Sequence, residues 1–269
     1  MALTDVSGTG VDASFVDLTA EEVVAIAAML DVLPPLQIVG PEPPDPEAIT
    51  IAAGIGRRSL IARRLARTID GVEQIEQLLA ESIRTTSNPQ IMTIVTKVSE
   101  ADQAITWLYL DETGVTVVSN LEDGLYRLRR IPGDAFGPAL ELVSGLDDTT
   151  GAPMNGFVID IGELSDAMEA GGGDTTGSAV EEATDHLRAS VLASALGSQD
   201  AEGGEATSVS MLWRSEDNAD QVTSIVWYRN GAGQWSHVTI DGRLITGEPS
   251  SPSAIIGDLR AALPPSDAS

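Results

Sequence analysis

Residues 109–114 of the chain read YLDETG, and residues 228–233 read YRNGAG. Each stretch puts a tyrosine ahead of a polar turn that ends in glycine, between runs rich in β-branched and aromatic residues, a pattern typical of β-hairpins. The likeness continues at offsets of 117 to 119 residues, where these pairs match: Asp123-Gly124 with Asp241-Gly242, Pro132 with Pro249, Leu142 with Leu259, and Leu146 with Leu263. Matches in both turns and helix positions predict an internal repeat.

The repeat predicts the fold class. Strands are expected at 91–98, 104–110, 115–119 and 125–131 with a closing helix at 135–143, and again at 207–214, 221–229, 234–240 and 243–246 with a closing helix at 253–263. The sequence therefore predicts an α+β fold of two quasi-symmetric halves, each an antiparallel β-sheet flanked by helices, related by a pseudo-twofold axis. The expected boundaries are 1–146 for the N-terminal half, 147–178 for a flexible junction and 179–269 for the C-terminal half, within one integrated domain.

Outside the repeat the elements are read from caps and apolar periodicity. Residues 13–18 alternate like a strand, and Thr19 with Glu22 forms a capping box ahead of a helix that runs to about Leu33. Residues 40–46 are a proline-rich connector. Further helices are expected at 57–68, from Asp70 to Arg84, at 163–170 and at 179–196, and a buried strand is expected around Phe157 to Ile161.

The charge balance narrows the possible partners. Among 269 residues there are 41 acidic and 15 basic side chains, for a net charge of −26. This argues against nucleic acid and anionic lipid as partners, although a proteome-wide acidic composition explains the charge equally well. With no cysteine, no apolar run long enough to span a membrane and no leader-like start, we expect a cytoplasmic protein without membrane insertion.

No stretch carries a convincing catalytic, cofactor or metal signature. Residues 54–59, GIGRRS, follow the strand-like ITIAA but lack the third glycine of a dinucleotide fingerprint, so a simple loop before a helix is preferred. The two histidines, His186 and His237, cannot form a zinc site alone. The acidic row Asp160, Glu163, Asp166 and Glu169 is best read as a solvated helix face. We therefore expect a protein that is not an enzyme, with no catalytic residues, cofactor, metal or small-molecule substrate.

Two further groups of residues stand out. Five arginines, at 57, 58, 63, 64 and 67, form a basic island, for which pairing with the chain's own carboxylates is favoured over binding an acidic partner. Trp213, Trp227 and Trp235 crowd the second predicted sheet, with Trp107 at the corresponding place in the first. Most such residues lie in a core, but the polar neighbours of Trp213 and Trp235 make these two the better candidates for an exposed partner anchor.

Three segments together resemble the EspG family of cytosolic chaperones of type VII, or ESX, secretion: LTAEEVVAIAAMLDVLPPLQI (18–38), SLIARRLA (59–66) and GQWSHVTIDGRLITGEPSSPSAIIGDLRAALPP (233–265). In the middle segment Leu60, Arg63 and Leu65 fit the family's Leu-x-x-Arg-Gly-Leu pattern, but Arg64 stands where glycine is expected. The resemblance spans most of the chain and carries no catalytic residues.

The resemblance implies a function. EspG-like proteins bind the helical tip of a secreted helical-hairpin heterodimer, such as a PE-PPE pair, and keep it soluble until export. Transferred to this chain, that role implies partner contacts on the C-terminal half, at Leu187, Val191, Leu192, Trp213 and Trp235. Another protein-binding role, as an immunity or regulatory protein, is the main alternative, and an enzyme using carboxylates or a nucleotide site is a third hypothesis.

Overall fold

The computed structural model describes residues 15–35, 38, 45–70, 72–99, 102–121, 124–146, 150–160, 204–214, 220–241 and 244–263. Twelve strands lie in these ranges: β1 (Phe15–Thr19), β2 (Ala66–Ile69), β3 (Val72–Ile75), β4 (Ile91–Ser99), β5 (Gln103–Asp111), β6 (Gly114–Asn120), β7 (Leu125–Ile131), β8 (Phe157–Asp160), β9 (Gly204–Arg214), β10 (Asp220–Asn230), β11 (Trp235–Asp241) and β12 (Leu244–Pro249). Five α-helices accompany them: α1 (Ala20–Leu30), α2 (Pro46–Ala62), α3 (Gln77–Ser87), α4 (Phe136–Val143) and α5 (Pro252–Ala261).

Ten of the strands hydrogen-bond in the order β1-β7-β6-β5-β4-β9-β10-β11-β12-β8, and β2 pairs with β3 in a separate hairpin. The pairs β1 with β7, β6 with β7, β9 with β10, β10 with β11, β11 with β12 and β12 with β8 are antiparallel. This confirms the α+β class and the eight strands of the sequence repeat. Each half of the order contains four consecutive strands and an edge strand that precedes them in the chain. The pseudo-twofold axis stays a prediction, as do the domain boundaries.

The first of two compact units contains the described residues up to Met92 together with Trp107–Phe136. Its core joins α1, α2 and α3 to the sheet, and Leu18, Ile26, Leu60, Leu79 and Leu128 are among its fully buried members. Such aliphatic side chains supply about 1.5 to 3 kcal/mol each on burial. The low aromatic content of the sequence is thus matched by an aliphatic core.

The second unit contains Thr93–Thr106 and the described residues from Gly137 onward. One cluster of buried side chains crosses five strands, formed by Val98, Ala206, Tyr228, Val238 and Ile245. Side chains alternate between the two faces of a strand, so Val209, Met211 and Trp227, all buried, lie on the opposite face. This part of the sheet is therefore covered on both sides.

The N-terminus of α1 has the predicted capping box. The Thr19 hydroxyl oxygen accepts from the Glu22 amide at 3.3 Å, and the Glu22 carboxylate accepts from the Thr19 amide at 3.0 Å. The preceding strand is confirmed at β1. The helix ends at Leu30, three residues earlier than expected, because Asp31 takes a left-handed conformation with φ 57°.

The prediction for residues 50–59 is wrong: they form neither a strand nor a loop but lie inside α2. The helix begins where Asp45 accepts from the Glu47 amide at 3.0 Å and Pro46 fills the first helical position. Gly56 allows α2 to pack against α1, since a Cβ there would come within 1.9 Å of the Glu21 carbonyl oxygen. A glycine-rich phosphate loop is excluded at this position.

The segment after α2 also differs from the prediction. The helix expected at 57–68 ends at Ala62, and in the turn that follows Arg64 has φ 63° while the Leu65 amide donates to the Leu60 carbonyl at 2.9 Å. Glycine is the usual residue at this place in such a helix end, so the arginine fills a position that favours glycine.

Residues 66–75 form the hairpin β2–β3 in place of the helix expected from Asp70 onward. Its register sets Ile69 opposite Val72, which leaves two residues, Asp70 and Gly71, for the connection. Asp-Gly is a strong signal for a two-residue hairpin turn. Helix α3 starts only at Gln77.

In the rest of the chain the strand near Phe157 is confirmed as β8, but Val158 is 67% exposed, so the strand is not fully buried as expected. The closing helices are confirmed as α4 and α5. The Ser251 hydroxyl caps α5 by accepting from the Ala254 amide at 3.2 Å. The helices expected at 163–170 and 179–196 lie outside the described residues.

Candidate partner-binding surface

Of the five residues expected to contact a partner, the structure places two. Trp213 lies on β9 and Trp235 on β11, both in the second unit. Leu187, Val191 and Leu192 lie outside the described residues, as does His186. The surface that can be built here is therefore the one around the two tryptophans.

Trp235 is only 1% exposed, so its expected place on the surface is wrong. Residues 150–154 cover it: the indole Nε1 donates to the Thr150 carbonyl at 3.3 Å, and the Trp235 backbone bonds to Ala152 and Met154 at 2.9 and 2.8 Å. The Arg229 guanidinium lies 5.1 Å from the centre of the ring. This cover comes from a segment about 80 residues distant in sequence, which the polar neighbours of Trp235 could not reveal.

Trp213 lies near the end of the long hairpin formed by β9 and β10. The two strands pair over their whole length, from Gly204 opposite Asn230 to Arg214 opposite Asp220. The register of β11 on β10 ends at Val226. Trp213 shares a strand face with the buried Val209 and Met211 but is itself only partly buried. Its indole thus borders the point where the core ends.

The other face of the same hairpin end carries an apolar pair. Val222 is 66% exposed and stands opposite Leu212, which is partly exposed. On one side this pair is bordered by the Arg214 to Asp220 ion pair, with 3.4 Å between Nε and Oδ1, and on the other by the hydroxyls of Ser210 and Ser224 at 2.9 Å. We call Leu212, Trp213 and Val222 with these polar neighbours the hairpin surface.

Val222 was missed at the sequence level, although a signal was available. Side chains of a strand alternate in direction, and Ile225 and Trp227 are buried on one face of β10. Val222 has the opposite parity, so it belongs to the other face. Counting from the tryptophan would have put it on the exposed side of the strand end.

The hairpin surface has the chemistry of a protein contact. Apolar side chains at the centre with polar groups around them are typical of the core and rim of interfaces, and partly exposed tryptophan is enriched among the residues that dominate binding energy. In the described part of the chain no three His, Cys, Asp or Glu side chains gather as metal ligands. Of the acidic row only Asp160 is described, at the end of β8, and His237 lies on β11.

The basic island is largely paired within the protein, as expected. Arg63 donates to the fully buried Glu22 carboxylate at 2.5 Å and to the Asp17 carbonyl at 2.8 Å, and Ser59 donates to the same carboxylate at 2.7 Å. Arg57 pairs with Glu73. These contacts fasten the end of α2 to the start of α1 and to β3. An arginine of the family-like pattern, Arg63, therefore has a structural role.

A second buried cation holds α3 to the sheet of the first unit. The Arg130 side chain is 8% exposed and donates to Thr85 and Thr116 at 2.9 and 3.2 Å, and it also contacts Thr113 and, at 3.7 Å, Asp111. Burial alone would raise the pKa of Asp111, but hydrogen bonds from Thr113 and Thr85 and the charge of Arg130 hold that pKa below its usual value. This cluster is saturated by its own members, which favours a structural role over a binding one.

The comparisons with known proteins support the fold at the level of structure alone. No protein-family model and no curated protein sequence matches the chain. A solved structure of EspG5 from Mycobacterium tuberculosis, a type VII secretion system chaperone in complex with a PE25-PPE41 dimer, superimposes with a TM-score of 0.55 at 12% sequence identity. The match covers 93% of this chain and 97% of that one. The chain therefore has an EspG-like fold, as the sequence resemblance implied.

None of the helices in the described ranges is both long and apolar enough to cross a membrane.

Proposed function

We propose that the protein is a cytosolic, non-enzymatic chaperone that binds a secreted helical-hairpin protein or heterodimer of a type VII secretion system and keeps it soluble before export. The observation that carries the proposal is the match to a secretion chaperone captured with its cargo, which extends over nearly the full length of both chains. A shared fold of this extent leaves the substrate to be decided by the surface.

The hairpin surface supports the proposal. The end of a helical hairpin exposes apolar side chains that aggregate when left free. Leu212, Trp213 and Val222 provide a few apolar anchors with an ion pair and hydroxyls around them, which suits reversible masking. A net charge of −26 adds solubility to the complex. Leu187, Val191 and Leu192 remain proposed contacts, whereas Trp235 can contribute only by supporting the surface from beneath.

The test is co-expression of the full chain with small helical-hairpin proteins encoded beside its gene, followed by affinity capture and mass measurement. We expect a stoichiometric complex with one hairpin protein or heterodimer. Recovery of the chain alone with every such neighbour would contradict the chaperone function, and a toxin captured in their place would favour the immunity role.

The contact surface is tested with a matched pair of variants. Val222→Glu places a charge at the centre of the hairpin surface, and Val158→Glu makes the same change at an equally exposed valine of the same unit. We expect Val222→Glu to weaken capture of the cargo by about tenfold or more, a typical effect of one lost apolar anchor, and Val158→Glu to leave it unchanged. Equal effects of the two would show that the hairpin surface is not the contact.

A further inference from the structure

Helix α2 in the first unit exposes an unusual amount of apolar side chain. Ile51, Ile55 and Ile61 are 57%, 47% and 44% exposed. Nine large apolar side chains are exposed in the described part of the chain, and three of them lie on this one helix. The exposure is therefore concentrated, and a concentrated apolar face marks an interaction site more often than scattered exposure does.

The exposed residues form a stripe. With about 100° of rotation per residue, five exposed residues of α2 fall within an arc of roughly 80°; they are Glu47, Ile51, Ile55, Arg58 and Ala62. Gly56 and Leu60, which are buried, lie on the opposite side, and Gly56 packs on α1. Since a soluble helix is normally polar on its outer face, α2 has a second apolar side without a partner among the described residues.

We propose that this stripe joins two copies of the chain, with the two α2 helices packed antiparallel across a twofold axis near the level of Ala53. In such an isologous contact, residues equidistant from the axis face each other. Ile51 of one copy then meets Ile55 of the second copy, and Glu47 meets Arg58. The apolar pair and the ion pair each occur twice.

Charge complementarity favours a second copy as the occupant. The Glu47 and Arg58 side chains are exposed, and neither has an ion pair or side-chain hydrogen bond with any residue that the structure describes. They carry opposite charges at nearly equal distances from the middle of the isoleucine pair, about 16 Å apart along the helix. An arrangement of this kind satisfies itself only when it is turned upon its own copy.

The helix surface also permits close approach. Gly54 lies beside the stripe, and a Cβ built on it would meet nothing within 4 Å. A second helix can therefore come near the backbone at this point. The net charge of −26 on each copy opposes association, so the dimer is expected to depend on protein concentration.

The first experiment is sedimentation equilibrium of the full chain over a wide range of concentrations. We expect a reversible dimer for the native chain and for Val158→Glu, and a monomer for Ile55→Glu with unchanged circular dichroism and thermal midpoint. A native chain that stays monomeric throughout the range overturns the proposal, as does a dimer that Ile55→Glu leaves intact.

A charge exchange tests the pairing itself. Glu47→Arg and Arg58→Glu, each studied alone, set like charges opposite each other twice, and we expect each to raise the dissociation constant by about tenfold. In an equal mixture of the two variants every facing pair again joins an acid to a base, so a heterodimer of native affinity is expected. Failure of the mixture to recover affinity would overturn the antiparallel register. The stripe lies in the first unit and the hairpin surface in the second, so cargo capture and dimerisation can fail separately.

Discussion

The turn between β5 and β6 and the turn between β10 and β11 hold matching places in the sequence repeat, and they are closed in related ways. Each follows a strand with a buried tyrosine, Tyr109 in the first and Tyr228 in the second. In the first turn Asp111 Oδ1 accepts from the Thr113 and Gly114 amides at 2.7 and 3.0 Å. In the second, Asn230 Oδ1 accepts from the Gln234 amide at 2.9 Å.

The difference lies in what else the two side chains hold. Asp111 uses its second oxygen to accept from the Thr85 hydroxyl of α3 at 2.6 Å and stands beside Arg130. The Asn230 amide nitrogen donates only 3.0 Å away, to Gln234 within its own turn. A carboxylate thus ties one turn to a helix and a buried cation, while an amide closes the other locally.

The largest expected effect comes from removing the cation of the first turn. Arg130→Met leaves the Asp111 carboxylate and the threonine hydroxyls without their shared donor, and a buried charge stripped of its partner costs about 3 kcal/mol or more of unfolding free energy. Denaturant unfolding measures it. Arg214→Met, at an exposed ion pair, is the control and should cost about 0.5 kcal/mol or less. Similar losses in the two variants would show that the Arg130 cluster is not a tertiary joint.

Alanine at the last glycine of each turn should separate the two next. Gly114 has φ 144°, and a Cβ on it would lie 2.8 Å from the Ile131 carbonyl oxygen, whereas Gly233 has φ 75° with no atom nearer than 4.0 Å. We expect Gly114→Ala to cost about 2 kcal/mol or more, from backbone conformation and overlap together, and Gly233→Ala about 1 kcal/mol from conformation alone. Chemical denaturation of both variants gives the comparison. Equal losses would mean that Ile131 yields readily.

The two turns should also differ in their response to acid. The folded-state pKa of Asp111 is below its ordinary value, so its contribution to stability is present above the unfolded-state pKa and is lost as the pH falls through the folded-state pKa. Asp111→Asn should remove that part of the pH dependence and cost about 1 kcal/mol at neutral pH through weakened hydrogen bonds. Unfolding at a series of acidic pH values tests this.

Asp17 provides the comparison for that titration. A hydrogen bond from Arg127, with the positive charges of Arg127 and Arg63, holds the pKa of Asp17 below its usual value despite partial burial. Acid sensitivity due to Asp17 should therefore persist in Asp111→Asn. An unchanged pH profile in Asp111→Asn would show that Asp111 does not contribute.

The smallest effect is expected at Asn230. Asn230→Asp keeps the oxygen that accepts from the Gln234 amide and loses only the side-chain bond to Gln234, whose amide group can rotate to donate instead. We expect a change in unfolding free energy within about 0.5 kcal/mol, as at most surface positions. A loss as large as that of Asp111→Asn would show that the second turn also depends on distant contacts.

Much of the sheet was predictable because its signals are local. Alternating apolar runs and turn glycines gave β4 to β7 and β9 to β12, and caps at Thr19 and Ser251 gave the starts of α1 and α5. Residues 50–59 were misjudged because an apolar, β-branched and glycine-bearing run suits a strand and a loop equally well. What decides them is the Asp45 cap with Pro46 and the packing of Gly56 on α1, of which only the cap is visible in sequence.

The candidate surface was less predictable than the sheet. Trp213 was placed correctly at the end of a strand, but its exposure depends on where the cover of β9 ends. Trp235 and Val222 exchanged the roles expected from their types, because residues 150–154 bury the tryptophan and the hairpin end leaves the valine open. Such outcomes are set by long-range packing, which hydrophobicity alone does not encode.

The burial of Trp235 has an optical consequence. The four tryptophans of the chain divide into two that are buried, Trp227 and Trp235, and two that are partly exposed, Trp107 and Trp213. A soluble quencher of fluorescence therefore reaches one indole in each unit. In a Trp107→Phe variant the quenchable emission would come from Trp213, so the protein contains its own reporter of whether anything covers the hairpin surface.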